Sequence, residues 1–145
     1  MTAVWFRAIP LRTFLDMVVV VDGLQREVQL MSLDDDDSLP DEVADGVAGR
    51  GGFDEARAAL FDQAVEAHEA GVEVTDLAAS YADDDWKPIL EVVDAVLLTD
   101  VAAAAGELLT PPFTPEQRHL YEWMAEEVRR QLTGSAPRSY APAAV

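Results

Sequence analysis

Apolar residues recur every three or four positions near the C-terminal end of the chain, which is the spacing that gathers them on one face of a helix. Thr114 precedes this stretch as a capping residue, Pro115 takes the first helical position, and Gln117 completes a capping box. Gly134 follows the last apolar residue, and a left-handed glycine ends many helices. The sequence therefore predicts a helix over 114–133. Its apolar stripe consists of Leu120, Trp123, Met124, Val128 and Leu132.

Three further segments show the same helical period, and they predict helices near 10–33, 53–70 and 85–108. The connection from the third of these to the last helix is short, so we expect those two helices to lie antiparallel. Residues 72–84 have no helical period and predict an extended connector, while residues 4–6 predict a short extended lead-in. Together these elements predict an all-α fold, an antiparallel four-helix bundle.

The first helix has a rival interpretation. Residues 18–21 are a β-branched run, and Asp22-Gly23 is a turn dipeptide, as expected for a β-hairpin. Gly23 also costs a helix about 1 kcal/mol relative to alanine. Leu24 and Val28 nevertheless continue the helical face without a break in phase, so we prefer the helix and keep the hairpin as the alternative.

The chain of 145 residues has the length of one domain, which we expect over 1–133. Residues 34–52 contain four consecutive Asp and four Gly, and they predict a long, mobile, acidic loop before the second main helix. Residues 134–145 are rich in Pro and small residues and predict a disordered tail.

The charge balance excludes several classes of function. The chain has 28 Asp plus Glu against 10 Lys plus Arg, a formal net charge of −18, and no cysteine. Direct binding to nucleic acid or to an anionic membrane needs clustered Lys and Arg, so neither is expected. Thiolate chemistry and disulfides are also excluded. The longest apolar run, residues 17–21, is far shorter than a membrane span, and no targeting segment stands out, so we expect a cytoplasmic protein.

The Asp run at 34–37 resembles the start of a calcium-binding loop, but the residues that follow do not have the required spacing. An EF-hand loop needs Gly at its sixth position and Glu at its twelfth. Counted from the first Asp, these positions hold Leu39 and Asp45. The run is therefore interpreted as a solvated loop.

Other catalytic motifs are incomplete. A di-metal carboxylate site needs two Glu-x-x-His pairs, and only Glu116 with His119 forms one, because His68 follows Val65 at that spacing. No serine lies in a Gly-x-Ser-x-Gly turn, and the Gly-rich stretch 49–52 lacks the lysine of a phosphate loop. We therefore expect a protein that is not an enzyme and that needs no metal and no cofactor.

Partner binding is the hypothesis that remains. Aromatic residues at element ends are expected to be half exposed and are frequent binding anchors. The alternative, that these rings seal the ends of the bundle, stays open. The candidate partner-binding residues are Trp5, Phe6, Trp86, Asp34, Asp35, Asp36 and Asp37.

The resulting function is a non-catalytic regulatory or adaptor protein that binds another protein, a basic one, through an acidic helical surface. One alternative is an acidic nucleic-acid mimic that inhibits a DNA-binding protein. The other is a carboxylate metal-dependent enzyme. The wide apolar stripes of the second and third helices are also compatible with a homo-oligomer.

The second half of the chain and parts of its first helix also resemble a known group. The residues that carry the resemblance are Phe14, Leu15, Arg26-Glu27 and Leu30, then Ala105-Gly106-Glu107-Leu108-Leu109-Thr110, Pro115-Glu116, Trp123, Glu127, Gln131-Leu132, Gly134 and Pro137-Arg138. In these positions the chain resembles small uncharacterised actinobacterial proteins, predicted to be helical, that often accompany ATP-binding anti-sigma-type kinases and related regulators. The resemblance implies a helical fold and a regulatory setting, and it implies no activity. Residues 18–21 and 34–37 depart from the pattern.

Overall fold

The computed structural model describes residues 2–33 and 51–142, and these residues form four helices and a two-stranded antiparallel sheet. In chain order the elements are β1 (Thr2–Pro10), α1 (Leu11–Leu33), α2 (Gly51–Glu69), β2 (Val74–Tyr81), α3 (Asp83–Ala104) and α4 (Pro115–Leu132). The predicted all-α fold is therefore wrong, because the sheet is part of the architecture.

The sheet forms from two segments that the sequence marks only as extended. Thr2 pairs with Tyr81 and Trp5 pairs with Ala78, so β1 and β2 run antiparallel although most of the first half of the chain separates them. Buried and exposed residues alternate along β1, with Val4 buried beside the exposed Trp5, as a strand requires when one face is covered. In the sequence, the alternating segment is too short to predict a strand. The local sequence also does not indicate which segment pairs with it.

The register shifts between Phe6 and Ile9, where β1 carries a bulge. Ala8 has a φ of 59°, a left-handed conformation that is uncommon outside glycine, and its N–H donates to the Asp76 carboxylate at 2.9 Å. The irregularity allows Ile9 as well as Phe6 to be buried, so both ends of β1 contribute to the core.

The four predicted helices are all present, and the helical interpretation of residues 10–33 is confirmed by α1. The third predicted helix ends earlier than expected, at Ala104 rather than at 108. Gly106 has a φ of 79° and donates its N–H to the Ala103 carbonyl at 3.0 Å, which closes the helix. Helix α4 begins with Thr114 as its N-cap, and both hydrogen bonds of the predicted capping box form.

Helices α3 and α4 lie antiparallel, as predicted. Arg129 near the end of α4 pairs with Asp94 in the middle of α3 at 2.7 Å. Arg118 near the start of α4 pairs with Asp100, towards the end of α3, at 2.6 Å. The order of these pairs reverses along the two helices, which fixes their opposite directions.

One continuous apolar core lies between the inner face of the sheet and the helices. Its largest fully buried side chains include Trp86, Phe14, Ile9, Leu11, Leu24, Leu77 and Leu120. Burial of a side chain of this size contributes about 1.5–3 kcal/mol, so residues from both strands and three helices share the stabilisation.

The segment after α4 differs from the predicted disordered tail as far as Pro142, where the described residues end. Ser139 bridges to Arg7 as a parallel partner of β1, and the Tyr140 N–H donates to the Arg7 carbonyl at 2.8 Å. The Tyr140 side chain is buried, with its ring edge-on to Trp123 at 5.2 Å between centroids. The buried Tyr140 ring therefore anchors this segment to the core, although the composition of the segment favours disorder.

Candidate functional site

Trp5, Phe6 and Trp86, the described members of the predicted partner-binding set, occupy two different environments. Trp5 is 43% exposed on the outer face of the sheet, whereas Phe6 and Trp86 are 3% and 2% exposed. The expected half-exposure of Phe6 and Trp86 is wrong, because strand alternation turns Phe6 inward and the Trp86 indole N–H donates to the Thr2 carbonyl at 3.2 Å. Residues 34–37 lie outside the described residues.

Two glutamine side chains cover the outer edges of the sheet at the level of Trp5. The Gln131 amide accepts the Trp5 N–H at 2.8 Å and donates to the Trp5 carbonyl at 2.6 Å. On the other strand, Gln63 accepts the Ala78 N–H at 3.0 Å and donates to the Ala78 carbonyl at 2.7 Å. Because Trp5 and Ala78 are cross-strand partners, one polar row runs across the sheet and fixes the Trp5 backbone. Sequence reasoning missed this row, since a helical glutamine shows no sign of such a partner.

A surface with a large excess of negative charge covers the exposed side of α2 and the start of α3. We call it the acidic face, and its members are Glu55, Asp62, Glu66 and Glu69 on α2 with Asp83, Asp84 and Asp85 on α3, all exposed. Burial and then the Glu55 carboxylate raise the pKa of the Tyr81 hydroxyl, which places Glu55 close to the junction of β2 and α3. Phe61 lies on the same helix and is 37% exposed. The acidic face therefore has seven exposed carboxylates, and its helix α2 also carries the exposed ring of Phe61.

The side of the protein around α4 has mixed charge instead. Glu127 is fully buried, and its carboxylate accepts hydrogen bonds from Arg130 at 2.6 Å, Arg138 at 2.5 Å and Gln131 at 3.0 Å. Burial opposes ionisation of Glu127, but these three hydrogen bonds outweigh burial and hold its pKa below the ordinary value. The network joins α4 to the following segment, and Gln131 connects it to Trp5.

Asp100 forms a second buried carboxylate contact. It is 3% exposed, accepts the Phe113 N–H at 2.7 Å and pairs with Arg118 at 2.6 Å. Arg118 also pairs with Glu122, one turn further along α4, at 2.7 Å. These contacts hold the loop between α3 and α4 against the helices, so their role is structural.

An apolar cavity of about 80 Å³ lies within the core and contacts all six elements. Its wall includes Phe6 and Trp86, two of the predicted partner-binding residues. The other lining residues are Phe14, Met17, Val18, Val21, Phe53, Ala56, Arg57, Leu60, Ala79, Ile89, Val93, Tyr121, Met124, Ala125 and Val128. Only Arg57 and Val93 among them are half-buried, so the cavity approaches the surface between α2 and α3.

Tyr121 and Arg57 supply the polar groups of this cavity wall. The Tyr121 hydroxyl is buried and has no hydrogen-bond partner among the described residues. Burial, followed by the field of Asp94, raises its pKa, while the nearby Arg57 cation has the opposite effect. The hydroxyl therefore stays protonated at neutral pH and remains a donor. Arg57 pairs with Asp22 and lies 3.7 Å from Asp54.

The described residues contain no group of three or more His, Asp or Glu side chains placed to hold a metal ion. None of the helices in this part of the chain is both long enough and apolar enough to cross a membrane.

Comparison of the chain with protein-family models, with curated proteins and with solved structures finds no match to any of them, so the resemblance to the actinobacterial group stays a prediction.

Proposed function

We propose that the protein is a non-catalytic regulatory or adaptor protein that binds a basic partner protein through the acidic face. The observation that carries the proposal is the large excess of negative charge on this surface. The α4 side pairs its acids with Arg118, Arg129 and Arg130, whereas the acidic face has seven exposed carboxylates close to one lysine, Lys87.

Unpaired carboxylates on one surface attract a positively charged partner and repel an acidic one. Among the described residues, no ion pair joins the acidic face to another side chain, so none would have to break on binding. Phe61 offers an exposed apolar contact on the same helix, and aromatic residues are frequent hot spots. Trp5 is a second candidate contact, on the sheet.

The nucleic-acid mimic has less support from this geometry. A mimic needs carboxylates at regular intervals, as phosphates have in a duplex. Along α2, the successive spacings are Glu55 to Asp62, Asp62 to Glu66 and Glu66 to Glu69. They correspond to about 10, 6 and 4.5 Å along the helix axis. This irregular row suits a protein partner better. The cytoplasmic location and the homo-oligomer stay predictions.

Two variants of equal net charge test the proposal. The first neutralises the α2 part of the acidic face with Glu55→Gln, Asp62→Asn, Glu66→Gln and Glu69→Gln. The control neutralises four exposed acids on α1, α3, α4 and the α3–α4 loop with Asp16→Asn, Glu91→Gln, Glu107→Gln and Glu126→Gln. Tagged wild type and both variants are used to capture proteins from a lysate of the cells that encode the chain, and captured proteins are purified and titrated.

We expect a captured basic protein to bind the wild type and the control with similar affinity and to bind the acidic-face variant at least about tenfold more weakly. Raising the salt concentration should weaken the wild-type complex, because exposed charges are screened. Equal binding of both variants would contradict the acidic face as the interface. If the wild type captures nothing, the adaptor function itself is contradicted.

A further inference from the structure

The apolar cavity between the sheet and the helices is larger than the packing of protein interiors normally leaves. Interiors have few voids larger than one water molecule, and a water needs about 10–15 Å³. A cavity of about 80 Å³ has room for more than that. A water inside it would also need two to four polar partners, and the wall is almost entirely hydrocarbon.

The polar groups in the wall are both donors. The Tyr121 hydroxyl is buried without a partner among the described residues, and the Arg57 guanidinium is close enough to act on it electrostatically. A buried donor without a partner is unfavourable, and an acceptor atom at this end of the cavity would satisfy it. A carboxylate is a poor acceptor here, because Asp22 already pairs with Arg57 and Asp54 lies 3.7 Å from it.

We propose that this cavity binds a small, neutral, apolar molecule that carries a carbonyl oxygen, such as a short-chain ketone or ester, with the oxygen at the Tyr121 and Arg57 end. Cavities of about 150 Å³ accept benzene, so this one suits about three to five non-hydrogen atoms. Arg57, at the polar end of the cavity, also lines a polar pocket of about 300 Å³ between α1 and α2. The inference is independent of the acidic face, and its test involves none of those residues.

Two methionines make the cavity accessible to measurement, since Met17 and Met124 both line it. Protein labelled with ¹³C at the methionine methyl groups is titrated with xenon, with butanone and with butyrate, and the signals are assigned with Met17→Leu and Met124→Leu. We expect xenon to shift both methyl signals, which reports that the cavity admits an apolar probe. Butanone should shift them with a dissociation constant of about 1–10 mM, and butyrate should not.

Matched variants then distinguish binding in the apolar part of the cavity from hydrogen bonding at its polar end. Tyr121→Phe keeps the ring and should leave the xenon response unchanged, while it weakens butanone binding about tenfold. Ala125→Leu places three further carbons in the wall and should abolish both responses, and Ala79→Val provides a second filled cavity if the first variant does not fold. The circular-dichroism spectrum of each variant reports its fold.

Four results would overturn the proposal. If xenon shifts neither methionine, the cavity does not admit ligands. If butanone binds no better than butyrate, or if Tyr121→Phe leaves butanone binding unchanged, the assignment of a carbonyl ligand is wrong. Butanone binding that survives in a folded, filled variant would place the ligand elsewhere.

Discussion

At the scale of single residues, hydrogen bonds from neighbouring side chains allow a carboxylate to be buried in this protein. Glu127 is a fully buried carboxylate, yet it accepts hydrogen bonds from Arg130, Arg138 and Gln131. These contacts compensate for the loss of hydration and keep the carboxylate ionised. A buried carboxylate of this kind makes folding depend on pH.

We predict that stability falls when the pH drops below about 4.5, the ordinary pKa of Glu127, because its pKa is lower in the folded than in the unfolded state. Its contribution is complete above that pH and is lost as the pH falls through the folded-state pKa. Glu27 acts in the same direction: burial opposes its ionisation, but hydrogen bonds from Thr110 and the Leu109 N–H outweigh burial.

Denaturant unfolding at several pH values measures this dependence. Glu127→Gln should lower the free energy of unfolding at pH 7 by about 1–3 kcal/mol and flatten its decline with acid. Glu126→Gln, the exposed neighbour, is the control and should match the wild type. An equally steep decline in the Glu127 variant would contradict the prediction.

Gly23 shows how a residue can be judged differently by sequence and by structure. From the sequence alone, the only expected effect of Gly23 is the unfavourable helix propensity of glycine. In the structure, a Cβ added at Gly23 would lie 2.9 Å from the Thr110 methyl group. Thr110 cannot rotate freely, because its hydroxyl donates its one proton to the Glu27 carboxylate at 2.7 Å and lies 3.2 Å from the Gly23 carbonyl oxygen. Glycine is therefore required by a contact with a loop that is distant in sequence.

At the scale of elements, two strands form the sheet within the described residues, so each strand has one edge without a partner strand apart from the single bridge between Arg7 and Ser139. Such edges promote association with other chains. Gln63 and Gln131 occupy one position on each edge, and each satisfies the N–H and the carbonyl of a single residue. The helices thus complete hydrogen bonding that a third and a fourth strand would otherwise provide.

Replacement of Gln63 by leucine tests this role, because the side chain keeps its approximate volume and loses both hydrogen bonds to Ala78. We expect Gln63→Leu to lower the free energy of unfolding by about 1–3 kcal/mol and to increase self-association. Denaturant unfolding and light scattering measure the two effects. Glu66→Leu adds a similar apolar surface to the same helix without uncovering the strand, and a similar rise in self-association there would refute the interpretation.

The helices were predictable because their signals are local. The capping box of α4 needs only Thr114 and Gln117, and the apolar stripes repeat over several turns. The strands were not predictable from the same information, since β1 finds its partner at β2, beyond two helices. For the candidate surface, sequence reasoning named Trp5 and the acidic character, but it could not separate α2 from the α4 side, where arginines pair with the acids.

At the scale of the whole molecule, the segment after α4 closes the structure against β1. Tyr140 is 8% exposed, contacts Trp123 and donates its backbone N–H to Arg7. Arg138 in the same segment reaches Glu127. The segment after α4 and β1 therefore meet beside the sheet.

Tyr140→Ala should lower the free energy of unfolding by about 2–4 kcal/mol, because it removes a buried aromatic ring. Tyr140→Phe keeps the ring and removes a hydroxyl that is buried without a partner among the described residues, so it should be neutral or slightly stabilising. Thermal and denaturant unfolding distinguish the two. A disordered tail would instead make both variants equal to the wild type.

The sequence by itself determined the helices, their caps and the strongly acidic charge, because these depend on residue type and on spacing within a few turns. Only the tertiary structure decided that residues 2–10 and 74–81 pair as strands, that Phe6 and Trp86 face a cavity rather than solvent, and that Glu127 is buried among arginines. Each of these depends on contacts between segments far apart in the chain. The physical reason is that strand pairing and side-chain burial depend on which surfaces meet in space, and no local repeat in the sequence records that meeting.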